Sequence, residues 1–257
     1  MHVWSALLAA VAMSASVATA AADCRARSPD YSVALLELYT SEGCDSCPPA
    51  DRWLSALSVR GLGGHTVALA LHVDYWDRLG WKDRFASPAF TARQRGESAR
   101  LGGEFVYTPQ VLLQGRDFPQ WRSGELQQTI AAINARPARA VIDLAVQQHD
   151  GMADVDLRAQ VPDPRNRADA VVAVALVQSG LASDVKAGEN AGKRLRHDHV
   201  VRQWRPDIAL DASGAASARL SIALPADAGP LSVVALAENA RSGDVLQALE
   251  LPLCASR

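Results

Sequence analysis

The strongest constraint on this fold is a Cys-x-x-Cys motif between a strand-like and a helix-like segment. Cys44 and Cys47 follow the largely apolar run 33–39, and Pro48 and Pro49 then open a segment with helical apolar spacing. Proline is tolerated in the first turn of a helix, where no N–H is needed. The positive end of a helix stabilises a thiolate. The motif therefore predicts a redox couple in which Cys44 attacks and Cys47 resolves, with a structural disulfide as the alternative.

The N-terminal residues indicate export. Residues 4–22 are apolar and small, and the run ends in the cleavage-site pattern Ala18-Thr19-Ala20-Ala21-Ala22. We predict a signal peptide over residues 1–22 and a periplasmic or secreted protein. An N-terminal membrane anchor is the alternative, because no lysine or arginine precedes the apolar run. After removal of the signal peptide we expect no membrane contact, since no other segment approaches the roughly 20 apolar residues of a membrane span.

The remaining two of the four cysteines suit an oxidising compartment. Cys24 follows the predicted signal peptide and Cys254 lies near the C-terminus. Chain termini are often close together at the surface, so we predict a structural disulfide between Cys24 and Cys254. Free thiols or an intermolecular bridge are the alternatives. The net charge of −2 gives no indication of a nucleic-acid partner.

A proline inside a strand-like run defines the fold prediction for the first half of the chain. Pro109 interrupts the run 105–113, where a central strand would lose a hydrogen-bond donor. A cis Thr108–Pro109 bond facing the cysteines explains it, and an edge strand is the alternative. Strand, Cys-x-x-Cys, helix, strand, helix, proline-containing strand, strand and helix is the order of a thioredoxin-like domain. We place this α/β domain at residues 23–137.

The texture of the sequence changes after residue 137. Short strand-like runs separated by turn clusters fill residues 138–257, a pattern that indicates a β-sandwich. The predicted fold class is therefore an α/β thioredoxin-like domain followed by an all-β sandwich-like domain.

Five segments resemble one known family. They are 37–51 (ELYTSEGCDSCPPAD), 72–83 (HVDYWDRLGWKD), 91–94 (TARQ), 107–110 (YTPQ) and 188–192 (GENAG). They are similar to the DUF1223 family of secreted thioredoxin-like proteins, whose function is unassigned. The resemblance covers nearly all of the mature chain. It implies the fold and the export, and it supplies no substrate.

The strand before the aromatic loop offers a proton relay. His72 and Asp74 alternate along it and point to one face. We predict Asp74 as the relay, while His72 is either part of the site or a hydrogen-bonded core residue. The aromatic residues of the loop form either a docking groove or core packing: Tyr75, Trp76 and Trp81. The predicted catalytic set is Cys44, Cys47, Pro109 and Asp74.

These residues leave three functions open. The first is a protein thiol–disulfide oxidoreductase acting on exported protein thiols and disulfides or on a redox partner protein. The second is a non-catalytic binding module of the same fold. The third is copper or zinc delivery by Cys44, Cys47 and His72, although no second Cys-x-x-Cys completes a zinc site. His197 and His199 alone make a weak site, so we predict no metal and no cofactor.

Overall fold

Most of the chain is organised as two packed β-sheets with three helices. A computed structural model describes residues 23–57, 66–227 and 229–254, and the predicted signal peptide at residues 1–22 lies outside these ranges. The described strands are β1 (Asp23–Arg27), β2 (Ala34–Thr40), β3 (Thr66–His72), β4 (Gln110–Leu113), β5 (Arg116–Asp117), β6 (Val141–His149), β7 (Met152–Gln160), β8 (Ala170–Gln178), β9 (Leu181–Asp184), β10 (Arg194–His197), β11 (Val200–Ala209), β12 (Ala215–Ala223), β13 (Leu231–Asn239) and β14 (Val245–Pro252). The α-helices are α1 (Pro48–Ser55), α2 (Pro88–Arg100) and α3 (Glu125–Asn134).

The larger sheet has eight strands in the order β14-β13-β8-β11-β3-β2-β4-β5. β2 and β3 are parallel, and β11 joins β3 in parallel where Val200 pairs with Ala70. The other neighbours in this sheet are antiparallel. Strands buried on both faces carry near-continuous apolar runs. β2 is buried over its whole length and is apolar apart from Glu37 and Thr40.

The smaller sheet has four antiparallel strands in the order β1-β6-β7-β12. Burial alternates along β6 and β7, and their inward residues Leu144 and Leu157 share a core with Val174 and Val233 of the larger sheet. Helices α1 and α3 pack on β2, β3 and β4 through a second core, and α2 contributes Phe90 to a third.

A buried arginine fastens α2 to both halves of the larger sheet. The Arg93 guanidinium donates to Glu37 on β2 at 2.7 Å and to both carboxylate oxygens of Glu238 on β13 at 2.8 Å. Arg93 also lies over the ring of Trp204, 4.9 Å from its centroid. Both carboxylates are buried, so Arg93 supplies the charge that compensates them.

The predicted fold class, an α/β thioredoxin-like domain followed by an all-β sandwich-like domain, is wrong. The chain is mostly β, with 44% strand and 17% helix, in large mixed sheets. The predicted boundary at residues 137 and 138 falls between α3 and β6, yet strands from both sides of it share the eight-stranded sheet. The physical reason for the shared sheet lies in β8 and β13, which are buried on both faces. Such strands need other elements packed against both faces, and a separate sandwich formed by residues 138–257 would not supply them.

Candidate active site

The Cys-x-x-Cys motif forms a disulfide at the N-terminus of α1. The Cα atoms of Cys44 and Cys47 are 5.4 Å apart. Cys47 is the N-cap residue, and its carbonyl accepts hydrogen bonds from the N–H groups of Ala50 and Asp51 at 2.8 and 3.1 Å. Both cysteines are fully buried, whereas Asp45 and Ser46 between them are exposed. The helix start agrees with the prediction, but the burial of Cys44 does not follow from the motif.

A buried carboxyl group lies one helical turn after Cys47. Asp51 Oδ1 accepts a hydrogen bond from Thr40 Oγ1 at 2.9 Å, and His197 Nδ1 lies 4.0 Å from Asp51 Oδ2. Burial raises the pKa of Asp51, with the nearby imidazoles opposing it. Asp51 was not predicted as a site residue from the sequence, although its spacing of four from Cys47 places the two residues on one face of a helix.

Asp51 belongs to a larger group that we call the acid–imidazole cluster. Its members are Glu42, Asp51, His72, Asp83 and His197. His72 Nδ1 lies 2.7 Å from Asp83 Oδ2, and His197 Nε2 lies 3.2 Å from Glu42 Oε1. The two imidazole centroids are 5.0 Å apart, and all five side chains are buried. Five segments therefore meet in this cluster: residues 41–47 between β2 and α1 (the Cys loop), α1, the end of β3, the segment before α2, and β10.

The cluster separates the proton affinities of its carboxyl groups. Burial opposes charge on His72 and Asp83, but their close contact outweighs it, so the pKa of His72 is raised and that of Asp83 is lowered. Burial likewise opposes charge on Glu42, yet the hydrogen bond from His197 helps to lower its pKa. Asp51 is therefore the carboxyl group in the cluster whose environment favours the protonated form.

The loop between β9 and β10 binds main-chain groups of the Cys loop. The Asn190 amide donates to the carbonyl oxygens of Glu42 and Cys44, each at 2.8 Å. The Asp45 N–H donates to Glu189 Oε2 at 3.1 Å. Gly188 has a φ of +73°, and a Cβ at this residue would lie 3.2 Å from Trp81 Cβ. We call residues 188–190 the cover segment.

The structure agrees with the prediction of a cis bond at Pro109, but it places Asp74 away from the acid–imidazole cluster. The Thr108–Pro109 bond is cis, as predicted. Trp76 Nε1 donates to Thr108 Oγ1 at 2.8 Å, so the aromatic loop is tied to this bond. Asp74 Oδ1 instead accepts a hydrogen bond from Thr91 Oγ1 of α2 at 2.5 Å. The contacts of Asp74 are thus with α2, and it does not join the acid–imidazole cluster.

The other aromatic and histidine residues also have defined places. Trp81 Nε1 donates to Glu42 Oε2 at 2.8 Å, and Tyr75 Oη to Gln94 Oε1 at 3.3 Å. His197 faces the cluster, whereas His199 has a φ of 58° and its carbonyl accepts from the Ala70 N–H at 2.7 Å. Within the described ranges, no group of three or more His, Cys, Asp and Glu residues is arranged to hold a metal ion.

The predicted bridge between the termini is confirmed. Cys24 on β1 and Cys254 after β14 form a disulfide with their Cα atoms 5.9 Å apart. The two disulfides indicate an oxidising, exported environment. In the part of the chain that the structure describes, none of the helices is long and apolar enough to cross a membrane.

Comparison with known proteins identifies a family and two similar structures. The family model described as "Protein of unknown function (DUF1223)" matches residues 35–237. A crystal structure of a protein from Agrobacterium tumefaciens, determined by a structural genomics consortium, is 27% identical with a TM-score of 0.58, over 87% of this chain and 96% of that one. HBP35 of Porphyromonas gingivalis is 13% identical with a TM-score of 0.66, over 87% of this chain and 76% of that one, a likeness of fold alone. No curated protein matches the chain.

Proposed function

This chain belongs to the DUF1223 family, whose description assigns no activity, and we propose from its site that it is an exported protein thiol–disulfide oxidoreductase. Cys44 and Cys47 are its redox couple. Its substrates are thiols and disulfides of other exported proteins, in the periplasm or outside the cell. The observation that carries this proposal is the buried acid–imidazole cluster, two of whose members, Glu42 and Asp51, flank the Cys44–Cys47 disulfide in the chain.

A purely structural disulfide does not account for this cluster. Removing charged groups from water costs several kcal/mol for each ion, which a buried ion pair only partly recovers. The buried carboxyl groups Glu42, Asp51 and Asp83 are unnecessary for holding two sulfur atoms together. Titratable groups with perturbed pKa values concentrate at sites of chemistry. A carboxyl group with a raised pKa, one helical turn from Cys47, suits proton exchange with a sulfur leaving group.

The exchange proceeds through a mixed disulfide. A substrate thiolate attacks Cys44 Sγ, the Cys44–Cys47 bond breaks, and the bonding electron pair leaves on Cys47 Sγ. Asp51, a buried carboxyl group whose pKa is raised by burial, is the proton donor that we assign to the Cys47 thiolate. A second substrate thiolate then attacks the substrate sulfur of the mixed disulfide and releases Cys44. The substrate dithiol is oxidised by two electrons, the protein disulfide is reduced, and a disulfide of a redox partner protein restores it.

This mechanism assigns the relay to Asp51 in place of the predicted Asp74. Asp51 lies in the first turn of α1, and its N–H donates a hydrogen bond to the carbonyl of the N-cap residue Cys47. Asp74 is engaged with Thr91 at the start of α2. Asp51→Asn should slow exchange by about tenfold or more and flatten its pH profile, because a general acid contributes about 10²–10⁴-fold. If Asp74→Asn has this effect and Asp51→Asn does not, the relay is Asp74.

A transfer assay tests the activity itself. Oxidised protein is mixed with reduced, denatured ribonuclease A, quenched in acid, alkylated and analysed by mass spectrometry. Wild type should become reduced at Cys44 and Cys47 while the substrate gains disulfides. The matched control is the Cys44→Ser/Cys47→Ser variant, which retains the Cys24–Cys254 bridge. Equal rates for wild type and control would refute the activity and leave a structural disulfide or a non-catalytic binding module.

A trapping experiment tests the roles of the two cysteines. Cys47→Ser leaves Cys44 as a free thiol without its resolving partner. With scrambled, disulfide-containing ribonuclease A, the Cys44 thiolate attacks a ribonuclease disulfide, one ribonuclease sulfur leaves as a thiolate, and the mixed disulfide should accumulate on Cys44. Cys44→Ser should accumulate far less of it. Preferential trapping on Cys47 would reverse the assignment of attacking and resolving residues.

A further inference from the structure

We infer that the cover segment, residues 188–190, occupies the place at Cys44 where an extended segment of a protein substrate binds, and that the substrate displaces it. The inference rests on the proposed function, which makes Cys44 the residue that substrates attack. It identifies the substrate class as cysteine-containing polypeptides able to adopt an extended conformation at the Cys loop.

The first support is the set of groups that the cover segment engages. They are main-chain groups of the Cys loop: the Asp45 N–H and the carbonyls of Glu42 and Cys44. An extended polypeptide recognises a partner through the same kind of main-chain groups, its carbonyls accepting and its N–H groups donating. In this chain the side chains of Glu189 and Asn190 make those bonds in place of a peptide backbone.

The second support is burial. Cys44, Cys47 and Asn190 each have no exposed surface. An attacking sulfur has to reach Cys44 Sγ directly, and a fully buried residue offers no such approach. Because Asn190 binds the Cys44 carbonyl itself, departure of the cover segment frees the main-chain groups at the target residue.

The third support is how the cover segment is attached. It lies between β9 and β10, which form a two-stranded sheet of their own rather than part of either larger sheet. Lys193 Nζ donates to Asn190 Oδ1 at 2.8 Å, which leaves both amide hydrogens of Asn190 for the two carbonyls. A small number of directed hydrogen bonds on a short hairpin can be exchanged for those of a peptide without unfolding the sheets.

Reduction kinetics test the cover without any protein substrate. Oxidised wild type is treated with increasing dithiothreitol, and the reduced fraction of Cys44 and Cys47 is measured by alkylation and mass spectrometry. The rate should reach a plateau, because opening becomes limiting. Asn190→Ala should raise the rate at low reductant by about tenfold, since it removes two hydrogen bonds. The matched control is Arg194→Ala, which removes an exposed contact with Asp184 on the same hairpin and should leave the rate as in wild type.

A second measurement uses a bound substrate. Ribonuclease A is trapped on Cys44 of the Cys47→Ser variant, and amide hydrogen exchange is followed for residues 186–193. Exchange there should accelerate in the trapped complex relative to the free variant. Unchanged exchange in this loop, or wild-type reduction that rises linearly with dithiothreitol and equals that of Asn190→Ala, would overturn the inference.

The two assays separate this inference from the proposed function. Gated reduction by dithiothreitol with no transfer to ribonuclease A would refute the oxidoreductase and, with it, the substrate named for the cover segment. Transfer to ribonuclease A with linear, ungated reduction would refute the cover segment and leave the oxidoreductase standing.

Discussion

The Cys24–Cys254 bridge should supply a large part of the stability of this protein. It joins residues 230 positions apart, and Cys24 is buried within the strand β1 that edges the four-stranded sheet. The chain-entropy relation for a loop of this length gives about 5 kcal/mol of stabilisation through the unfolded state. For a chain of this size, that corresponds to a fall in Tm of about 10–20 °C when the bridge is removed.

The chain provides its own control for this magnitude. Cys44 and Cys47 are three positions apart, and the same relation gives about 2 kcal/mol for so short a loop. We therefore expect Cys24→Ala/Cys254→Ala to lose clearly more unfolding free energy than Cys44→Ala/Cys47→Ala. Urea unfolding followed by circular dichroism, with disulfide status confirmed by non-reducing peptide mapping, measures both. A loss of less than about 1 kcal/mol for the long bridge, or the reverse order of the two variants, would refute the argument from loop length.

Two further predictions concern buried charges. Arg93→Met should destabilise the protein by about 3–5 kcal/mol in urea unfolding, because it leaves Glu37 and Glu238 buried without their cation. Combining it with Glu37→Gln and Glu238→Gln should restore part of the lost free energy of unfolding. No restoration in the triple variant would contradict this explanation. The pKa of His72 is raised in the folded protein, so His72 contributes stability that is present below its unfolded-state pKa and is lost as pH rises through its folded-state pKa. The pKa of Asp83 is lowered, so the stability that Asp83 contributes is lost as pH falls through its folded-state pKa. The free energy of unfolding, measured by urea unfolding at a series of pH values, should therefore decline as pH rises through the folded-state pKa of His72. The same decline in the His72→Gln variant would show that another group causes it.

Local signals in the sequence located the helices well. Ser87 followed by Pro88 is a typical N-cap and first helical residue, and at the start of α2 Ser87 Oγ accepts a hydrogen bond from the Ala89 N–H at 3.3 Å. Leu126, Ile130 and Ile133 have the apolar spacing of one helix face, and all three are buried in α3. Caps and helical spacing depend on neighbours within a few positions, so they can be read from one sequence.

Two strands of the larger sheet, β11 and β14, were not predicted. β11 carries two register shifts and an internal Pro206, so its residues do not alternate with a period of two. β14 contains the buried Gln247, which donates to the carbonyls of Pro29 and Tyr31 and accepts from the Val33 N–H. A polar residue at a core position hides a strand from hydrophobic patterning, because its partners lie far away in the sequence.

The candidate site shows the same division. The disulfide pair and the cis Thr108–Pro109 bond follow from motifs of a few residues. The contacts of Glu42 with His197 span 155 positions, and those of Asn190 with Cys44 span 146. Such pairs depend on where the hairpin of β9 and β10 packs against the Cys loop, and no local spacing indicates them.

The parallel junction between β3 and β11 has a consequence for how this protein is made. Until residues beyond 200 have been translated and exported, β3 has no neighbour on one side, and its Thr66–His72 backbone is an open, apolar edge. Such edges pair readily with other chains. Each molecule therefore passes through an interval in which its own C-terminal strands compete with those of neighbouring chains. When many chains are exported at once, more neighbouring chains are available to pair with the open edge of β3. The yield of folded protein should therefore fall with expression rate more steeply than for proteins whose sheets form between strands that are close in sequence.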